Sequence, residues 1–328
     1  MKTIVSFFGE KTGVFEKLNA RAEEYAAGLG FSYRWTPQTP FNQAEVTGIL
    51  SAADAGIIDV EPYGEAIFSK IHDSCKLLVR FGVGFDKVDL KAASRHGIAI
   101  ARTTGANTLG VAEMAFSLIL AARRSVKRFD KAVAECDWGK VVVDETIQSV
   151  IGIAGFGAIG KAVAKLFSGW DCELIAYDPY PDQKAMQALG VKPVSLEELF
   201  QRADAITLHI PYTPETHHIV GEKLLGLMKK SAVIVNTARG NIIDENALAL
   251  ALKENRIHGA GLDVFGEEPL PASSPLIGLP NIVLTPHVSS QTEQSLWRIY
   301  KMAIDIAADF FAGKGSPHIL NPDYKAAP

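Results

Sequence analysis

Cysteine is scarce in this chain: Cys75, Cys136 and Cys172 are the only three in 328 residues. They are scattered and lack metal-ligand spacing, which argues against a disulfide framework and a cysteine metal site. Free thiols in a reducing cytoplasm are expected, each as a small, mostly buried residue. No excess of positive charge exists either. The net charge is −4 and no Lys/Arg-rich run occurs, so there is no electrostatic footprint for nucleic acid. Arg123, Arg124, Lys127 and Arg128 read as the wet end of one helix. No apolar run is long enough to cross a bilayer. The opening MKTIVSFFGE is apolar over too few residues for a secretory signal and has no small-residue cleavage site. Internal repeats and low-complexity segments are also missing. These absences lead to the expectation of a cytoplasmic protein with no metal, nucleic-acid or membrane partner.

What is present is ordinary globular composition, 48% hydrophobic and 21% charged, in a chain long enough for roughly two domains. The first hundred residues alternate short apolar runs (Thr3–Phe8, Phe31–Trp35, Gly56–Asp59, Leu77–Phe81, Ile98–Ala101) with helix-like stretches such as Val14–Gly28 and Tyr63–Ser69. That alternation predicts a parallel sheet flanked by helices. GANTLGVAEMAFSLILAARRSVKRFDKAV then reads as one amphipathic helix, capped by Asn107 or Thr108. A second alternating set follows, with six strands at Ser149–Ala154, Glu173–Tyr177, Ala205–Ile210, Ala232–Asn236, Gly259–Asp263 and Ile282–Thr285. The final helical pattern, residues 291–312, has no strand of its own and is expected to return to the first domain. The expectation is an α/β protein of two parallel-sheet domains. Residues 1–101 with 291–328 form a discontinuous, flavodoxin-like substrate domain, and 102–290 form a Rossmann-type cofactor domain.

The second set opens with VIGIAGFGAIGKAVAKLF, which carries Gly155, Gly157 and Gly160 between a strand and a helix. Gly155 suits a tight turn, Gly157 the close approach of a pyrophosphate, and Gly160 helix–strand packing. The helix beginning near Ala158 offers unpaired N–H groups to phosphates. Asp178, in IAYDPY, ends the next strand about 20 residues on, where a carboxylate accepts both ribose hydroxyls and repels a 2′-phosphate. NAD is therefore expected over NADP. The bland alternative is a glycine-rich turn with an exposed aspartate.

Three later strand ends carry unusual residues: Arg239 after VIVNTA, Glu268 in GLDVFGEEPLP and His287 in NIVLTPHVSS. An arginine fork holds a carboxylate bidentately, and a histidine gives or takes a proton near neutrality. A carboxylate beside it orients it and stabilises its protonated form. Each residue alone also has a structural reading: a turn-capping arginine, a solvated acid, a core histidine. At successive strand ends beside a cofactor loop, the chemical reading is favoured.

These motifs resemble the D-isomer-specific 2-hydroxyacid dehydrogenase family over nearly the whole chain. The matching pieces are RFGVGFDKVDL, GANTLGVAE, GFGAIG, LHIPYTPETHHIV, NTARGNIIDENAL, GLDVFGEEPL and LPNIVLTPH. RFGVGFDKVDL looks most like phosphoglycerate-dehydrogenase-like members. The resemblance implies NAD-dependent interconversion of a D-2-hydroxy acid and its 2-oxo acid. Arg239 would bind the substrate carboxylate, with His287 as acid/base and Glu268 as its partner. It implies cofactor contacts at Gly155, Phe156, Gly157, Ala158, Ile159, Gly160, Asp178, Thr108, His209, Ile210, Pro211, Thr237 and Ala238, and at Asp263 for the nicotinamide. Val60, Val83 and Gly84 would contact substrate. A cleft between the two domains and a homodimer through the cofactor domain are further implications.

Departures bear on the substrate. Asp59 and Glu61 occupy a loop, DVEPY, where phosphoglycerate-using members commonly place an arginine, which lowers a phosphorylated substrate in rank; Arg80 or Arg102 remains as a source of charge. ARTTGAN lacks the Asn-Thr-Pro of many relatives. The end of the chain after Pro328 leaves the expectation of no regulatory domain. Glu268 argues against the formate-type branch, which pairs its histidine with glutamine. The rival from another class is an NAD-responsive corepressor-like regulator on the same scaffold.

Overall fold

The computed structural model describes residues 1–326; residues 327 and 328, part of the span expected in the first domain, lie outside the described residues. The chain forms two compact units, Met1–Asn107 with the residues from Gln291 onward, and Thr108–Ser290. Among the described residues no helix is long and apolar enough to cross a membrane.

The first unit is built on β1 (Lys2–Ser6), β2 (Phe31–Trp35), β3 (Ala55–Ile58), β4 (Leu77–Arg80) and β5 (Ala99–Arg102), in the order β2-β1-β3-β4-β5. Every pairing is parallel, and this is the flavodoxin-like strand order. β3 and β4 are buried along their whole length, as expected of strands covered by helices on both faces, which read as continuous apolar runs. One cover is the helix Glu293–Phe311, capped by the Thr292 side chain. Its Leu296, Ile299, Tyr300 and Ile304 share a core with Ile4, Ile57 and Val79.

The second unit contains β6 (Val150–Ala154), β7 (Glu173–Tyr177), β8 (Val191–Pro193), β9 (Ala205–Leu208), β10 (Val233–Asn236), β11 (Gly259–Leu262) and β12 (Ile282–Leu284). The order is β12-β11-β10-β9-β6-β7-β8, again all parallel. The strand order reverses at β6, where dinucleotide sites form in such sheets.

Three expectations are corrected. The second sheet has seven strands, not six, because β8 is a three-residue edge strand with only Val191 buried; its Pro193 is tolerable at an edge but hides the strand from pattern reading. The single helix expected after Asn107 is two, Thr108–Arg123 and Val126–Ala134. Ser125, at a left-handed φ of 50°, ends the first. The boundary expected at residue 101 falls inside β5, and the units part after Asn107 instead. Thr103 keeps that segment on the first sheet, its N–H donating to Gly82 O at 3.0 Å and its hydroxyl accepting Gly82 N–H at 2.9 Å. Of the cysteines, Cys75 is buried but Cys136 is exposed.

Candidate active site

In the second unit the chemistry gathers at the carboxyl ends of adjacent strands. β6 leads into Gly155, which takes a left-handed φ of 94°. A Cβ there would stand 2.6 Å from the His209 carbonyl carbon, because the exits of β6 and β9 touch; at Gly160 it would stand 2.3 Å from Gly155 O. Gly157 precedes the helix Ala158–Phe167, and a Cβ built on it meets nothing within 4 Å. Phe156 is buried, while Ala158 is exposed and Ile159 half-buried. The loop thus leaves open space beside a helix start, the arrangement that receives a phosphate.

Asp178 follows β7 and docks on that loop. Its Oδ2 accepts Phe156 N–H at 2.7 Å and its Oδ1 accepts Tyr180 N–H at 2.8 Å. A carboxylate has about four acceptor sites, so each oxygen retains capacity for a hydroxyl donor. His209, after β9, meets Thr207 Oγ1 through Nε2 at 3.0 Å. Burial pushes its imidazole down to about 3, which keeps the ring neutral. Two buried polar atoms here lack a hydrogen-bond partner in the protein, His209 Nδ1 and Thr237 Oγ1. Buried polar groups nearly always find partners, and a polar cofactor along these strand ends would supply them. The residues therefore fit a dinucleotide. Ile210 is buried, Pro211 is exposed, Ala238 is half-buried, and Thr108 begins the helix Thr108–Arg123.

β10 ends at Asn236, and the turn after it presents Arg239, half-buried, with Nη1 donating to Ala238 O at 2.7 Å. A Cβ on the next residue, Gly240, would lie 1.8 Å from the Phe265 carbonyl carbon. The Arg239 turn therefore rests directly on the loop that carries Glu268. After β12, His287 sits at a left-handed φ of 53°. Its Nδ1 lies 2.7 Å from Glu268 Oε2, while Glu268 Oε1 accepts Phe265 N–H at 2.9 Å. An ionised carboxylate only accepts, so Nδ1 carries the proton of that bond and Nε2 is left for a ligand. Burial pushes the Glu268 carboxyl up, but the bonds from His287 and Phe265 N–H outweigh it, helped by the His287 and Arg239 charges; the net position is below the ordinary carboxyl range. The structure thus brings Glu268 and His287 into contact and sets the Arg239 turn against the same loop.

Val60, Val83 and Gly84 belong to the first unit, where they follow β3 and β4. Val60 is half exposed, and Arg102 Nη1 donates to Val83 O at 3.4 Å. Arg80 is paired within the unit: Nη1 lies 3.7 Å from Asp59 Oδ1 and donates to Phe81 O.

Asn236 is not among the expected site residues, and Asp263 is expected only at the nicotinamide. Both are wholly buried, and their side chains also bond the loops of Arg239 and His287. Their signal was a polar residue closing an apolar strand.

The family model described as D-isomer-specific 2-hydroxyacid dehydrogenase, NAD-binding domain, matches residues 116–289. The chain belongs to that family. It is an NAD-dependent dehydrogenase by that membership, with its NAD-binding domain in the second unit. It is 34% identical over 296 residues to a glyoxylate reductase of Korarchaeum cryptofilum, covering 88% of this chain and 89% of that one. It is 41% identical over 226 residues to a D-3-phosphoglycerate dehydrogenase of Methanocaldococcus jannaschii, covering 68% of this chain but 43% of that longer protein. Among solved structures, D-2-hydroxyisocaproate dehydrogenase superposes with a TM-score of 0.85 at 27% identity, over 98% of this chain and all of that one, 100%.

Proposed function

We propose that this dehydrogenase interconverts a small D-2-hydroxy acid and its 2-oxo acid with His287 as acid/base, Glu268 as its charged partner and Arg239 as the carboxylate-binding cation. The observation that carries this is the 2.7 Å contact between His287 Nδ1 and Glu268 Oε2, which leaves Nε2 as the working nitrogen. NADH, when bound, would supply the hydride for C2. Arg239 holds the substrate carboxylate in its fork. His287 Nε2–H gives its proton to the carbonyl oxygen, so C=O becomes CH–OH; in the reverse direction neutral Nε2 takes the hydroxyl proton. Glu268 stabilises the protonated imidazole and fixes its orientation. The cofactor role we assign to Gly155–Gly160, Asp178, His209 and Thr237 is supported by the open glycine loop and the two orphaned polar atoms. Val60, Val83 and Gly84 we assign to the substrate.

Asp59 and Glu61 flank Val60, and Arg80 is already paired with Asp59. These features favour small 2-oxo acids with no charge beyond the carboxylate, such as glyoxylate and hydroxypyruvate, over a phosphorylated one. The test is NADH oxidation with glyoxylate, hydroxypyruvate, pyruvate, phenylpyruvate and phosphohydroxypyruvate. Turnover of the first two above the last is expected; binding of NADH without turnover of any would favour the regulatory reading instead.

A second copy is the partner we assign to the second unit. The helix Val126–Ala134 buries none of its residues, and Trp138 and Val142 beyond it are 79% and 98% exposed. Val126 and Val133 on the helix are exposed too, and apolar side chains left in water are what an interface would cover. Sedimentation at micromolar concentration is expected to give a dimer, and Trp138→Glu to weaken it.

A further inference from the structure

In the first unit, side chains from β2 and two helices converge on the backbone carbonyl of Phe8, just past the end of β1. The indole Nε1–H of Trp35, which ends β2, donates to Phe8 O at 2.9 Å. The Tyr300 hydroxyl, from the helix Glu293–Phe311, donates to the same oxygen at 3.2 Å. Tyr300 is itself held by Asn19 on the helix Gly13–Gly28, whose Nδ2 donates to the Tyr300 oxygen at 3.1 Å and to Phe15 O at 2.8 Å. Asn19 Oδ1 accepts the Tyr33 hydroxyl at 2.6 Å. Tyr300, Asn19 and Tyr33 are all buried. A core that needed only volume would hold apolar side chains there, because buried polar groups are costly unless paired. This polar chain ends on one carbonyl and so specifies where the loop after β1 lies.

The Phe8 ring lies on Phe81, with centroids 3.7 Å apart and planes 12° from parallel. Tyr300 meets Phe81 edge-on at 4.7 Å. Aromatic pairs favour stacked and edge-to-face arrangements, and Phe81 has one of each. Its N–H also donates to Ile58 O at 2.8 Å, so both ring and backbone are fixed. Phe81 follows β4 and leads directly into Gly82, Val83 and Gly84, the segment assigned above to the substrate. Gly82 turns the chain at a φ of 122°. Phe8 and Phe81 both leave the sheet at the carboxyl ends of its strands, where ligands bind in an open parallel sheet.

We infer that Phe8 is a positioning residue for the substrate. Trp35 and Tyr300 hold it through its carbonyl, its ring holds Phe81, and Phe81 sets the entry to the Val83–Gly84 segment. The inference rests on the substrate role proposed above for Val83 and Gly84. It concerns the grip on the acid and not the proton or the hydride. Every group in the relay belongs to the first unit, whereas His287, Glu268 and the glycine loop belong to the second. Slack at Phe8 therefore loosens the substrate and leaves NADH binding unchanged.

The experiment compares wild type with Phe8→Leu, which keeps apolar bulk and loses the flat stack. Trp35→Phe and Tyr300→Phe keep a ring and each remove one donor to Phe8 O. Ile71→Val, in the separate core that includes Val5, Ile58 and Leu78, controls for lost stability alone. Gly84→Val puts bulk into the substrate segment itself. The readouts are Tm, NADH affinity by fluorescence, oxalate affinity of the NADH complex, and kcat and KM for the preferred 2-oxo acid. Phe8→Leu is expected to raise KM and the oxalate Kd fivefold or more, with kcat within threefold and NADH affinity within twofold. Trp35→Phe and Tyr300→Phe move KM and the oxalate Kd the same way by less, and they serve if Phe8→Leu does not fold. Ile71→Val lowers Tm and moves neither. A lower Tm with KM and oxalate Kd within twofold of wild type, in Phe8→Leu and both donor variants, would make Phe8 a core residue only and overturn the inference. A tenfold fall in kcat with unchanged oxalate affinity in Phe8→Leu would overturn it as well. An unchanged oxalate Kd in Gly84→Val would instead remove that segment from the substrate, and the inference would fall with the assignment it rests on. If wild type binds oxalate but reduces no 2-oxo acid, the proposed activity fails, and the oxalate affinities still decide the role of Phe8.

Discussion

Asp59 and Arg80 close neighbouring strands of the first sheet, their charged atoms 3.7 Å apart, and yet the pairing does not make Asp59 a stronger acid. Burial is the larger influence. It pushes the carboxyl up to about 6 against the pull of Arg80, and the Glu61 charge adds to the rise. The side chains are only 24% and 10% exposed, so solvent does little to relieve the cost.

This fixes the sign of a stability dependence. A carboxyl raised in the fold stabilises when protonated, and that contribution is lost as pH climbs from the ordinary carboxyl value of 3.8 through about 6. Asp59→Asn, neutral at every pH, is expected to be more stable than wild type at pH 8 by about 2–3 kcal/mol, at ~1.4 kcal/mol for each pK unit. The difference should shrink by pH 5 and vanish near pH 4. Urea unfolding of both proteins across that range measures it; a variant less stable than wild type at pH 8 would show that the ion pair dominates.

Arg239→Lys keeps the charge and loses the fork. If Arg239 grips the substrate carboxylate bidentately, the loss is on the order of 2–3 kcal/mol, or about two orders of magnitude in kcat/KM. NADH affinity should barely change. Steady-state kinetics that left efficiency within threefold of wild type would remove Arg239 from the site.

Cofactor choice turns on Asp178, whose carboxylate is already anchored to Phe156 N–H and Tyr180 N–H. Wild type is expected to prefer NADH over NADPH widely, because a 2′-phosphate beside a fixed carboxylate is repelled. In Asp178→Ala the margin should narrow, chiefly through a higher KM for NADH. Equal use of both cofactors by wild type would displace Asp178 from the ribose.

The parts legible in the sequence were those written in local pattern. Buried parallel strands such as Val233–Asn236 appear as short apolar runs, and Gly155 and Gly160 are required by contacts within one strand–turn–helix unit. The return of the helix Glu293–Phe311 to the first sheet was legible because no later strand could cover it. Less visible was β8, too short to show a period, and the break at Ser125, where one left-handed residue decides the path. The loop contacts of Asn236 and Asp263 were hidden for another reason. Their bonds reach backbone atoms of loops that the strand order brings near, and Asp263 meets Ser289 26 positions later.

The account centres on His287 as the proton carrier and Glu268 as the charge that favours its protonated form. The Glu268 carboxyl sits below its ordinary range because its bonds to His287 and Phe265 outweigh the effect of burial, so it is ionised wherever the enzyme would be assayed. Glu268→Gln removes that charge while keeping the size, and the protonated imidazole loses its partner. The deciding measurement is kcat/KM against pH for 2-oxo acid reduction and hydroxy acid oxidation, in wild type and Glu268→Gln. Reduction requires protonated His287 and oxidation requires the neutral form, so the falling limb of the first and the rising limb of the second should both move to lower pH in the variant. Limbs that stay fixed, or that move to higher pH, would contradict the dyad.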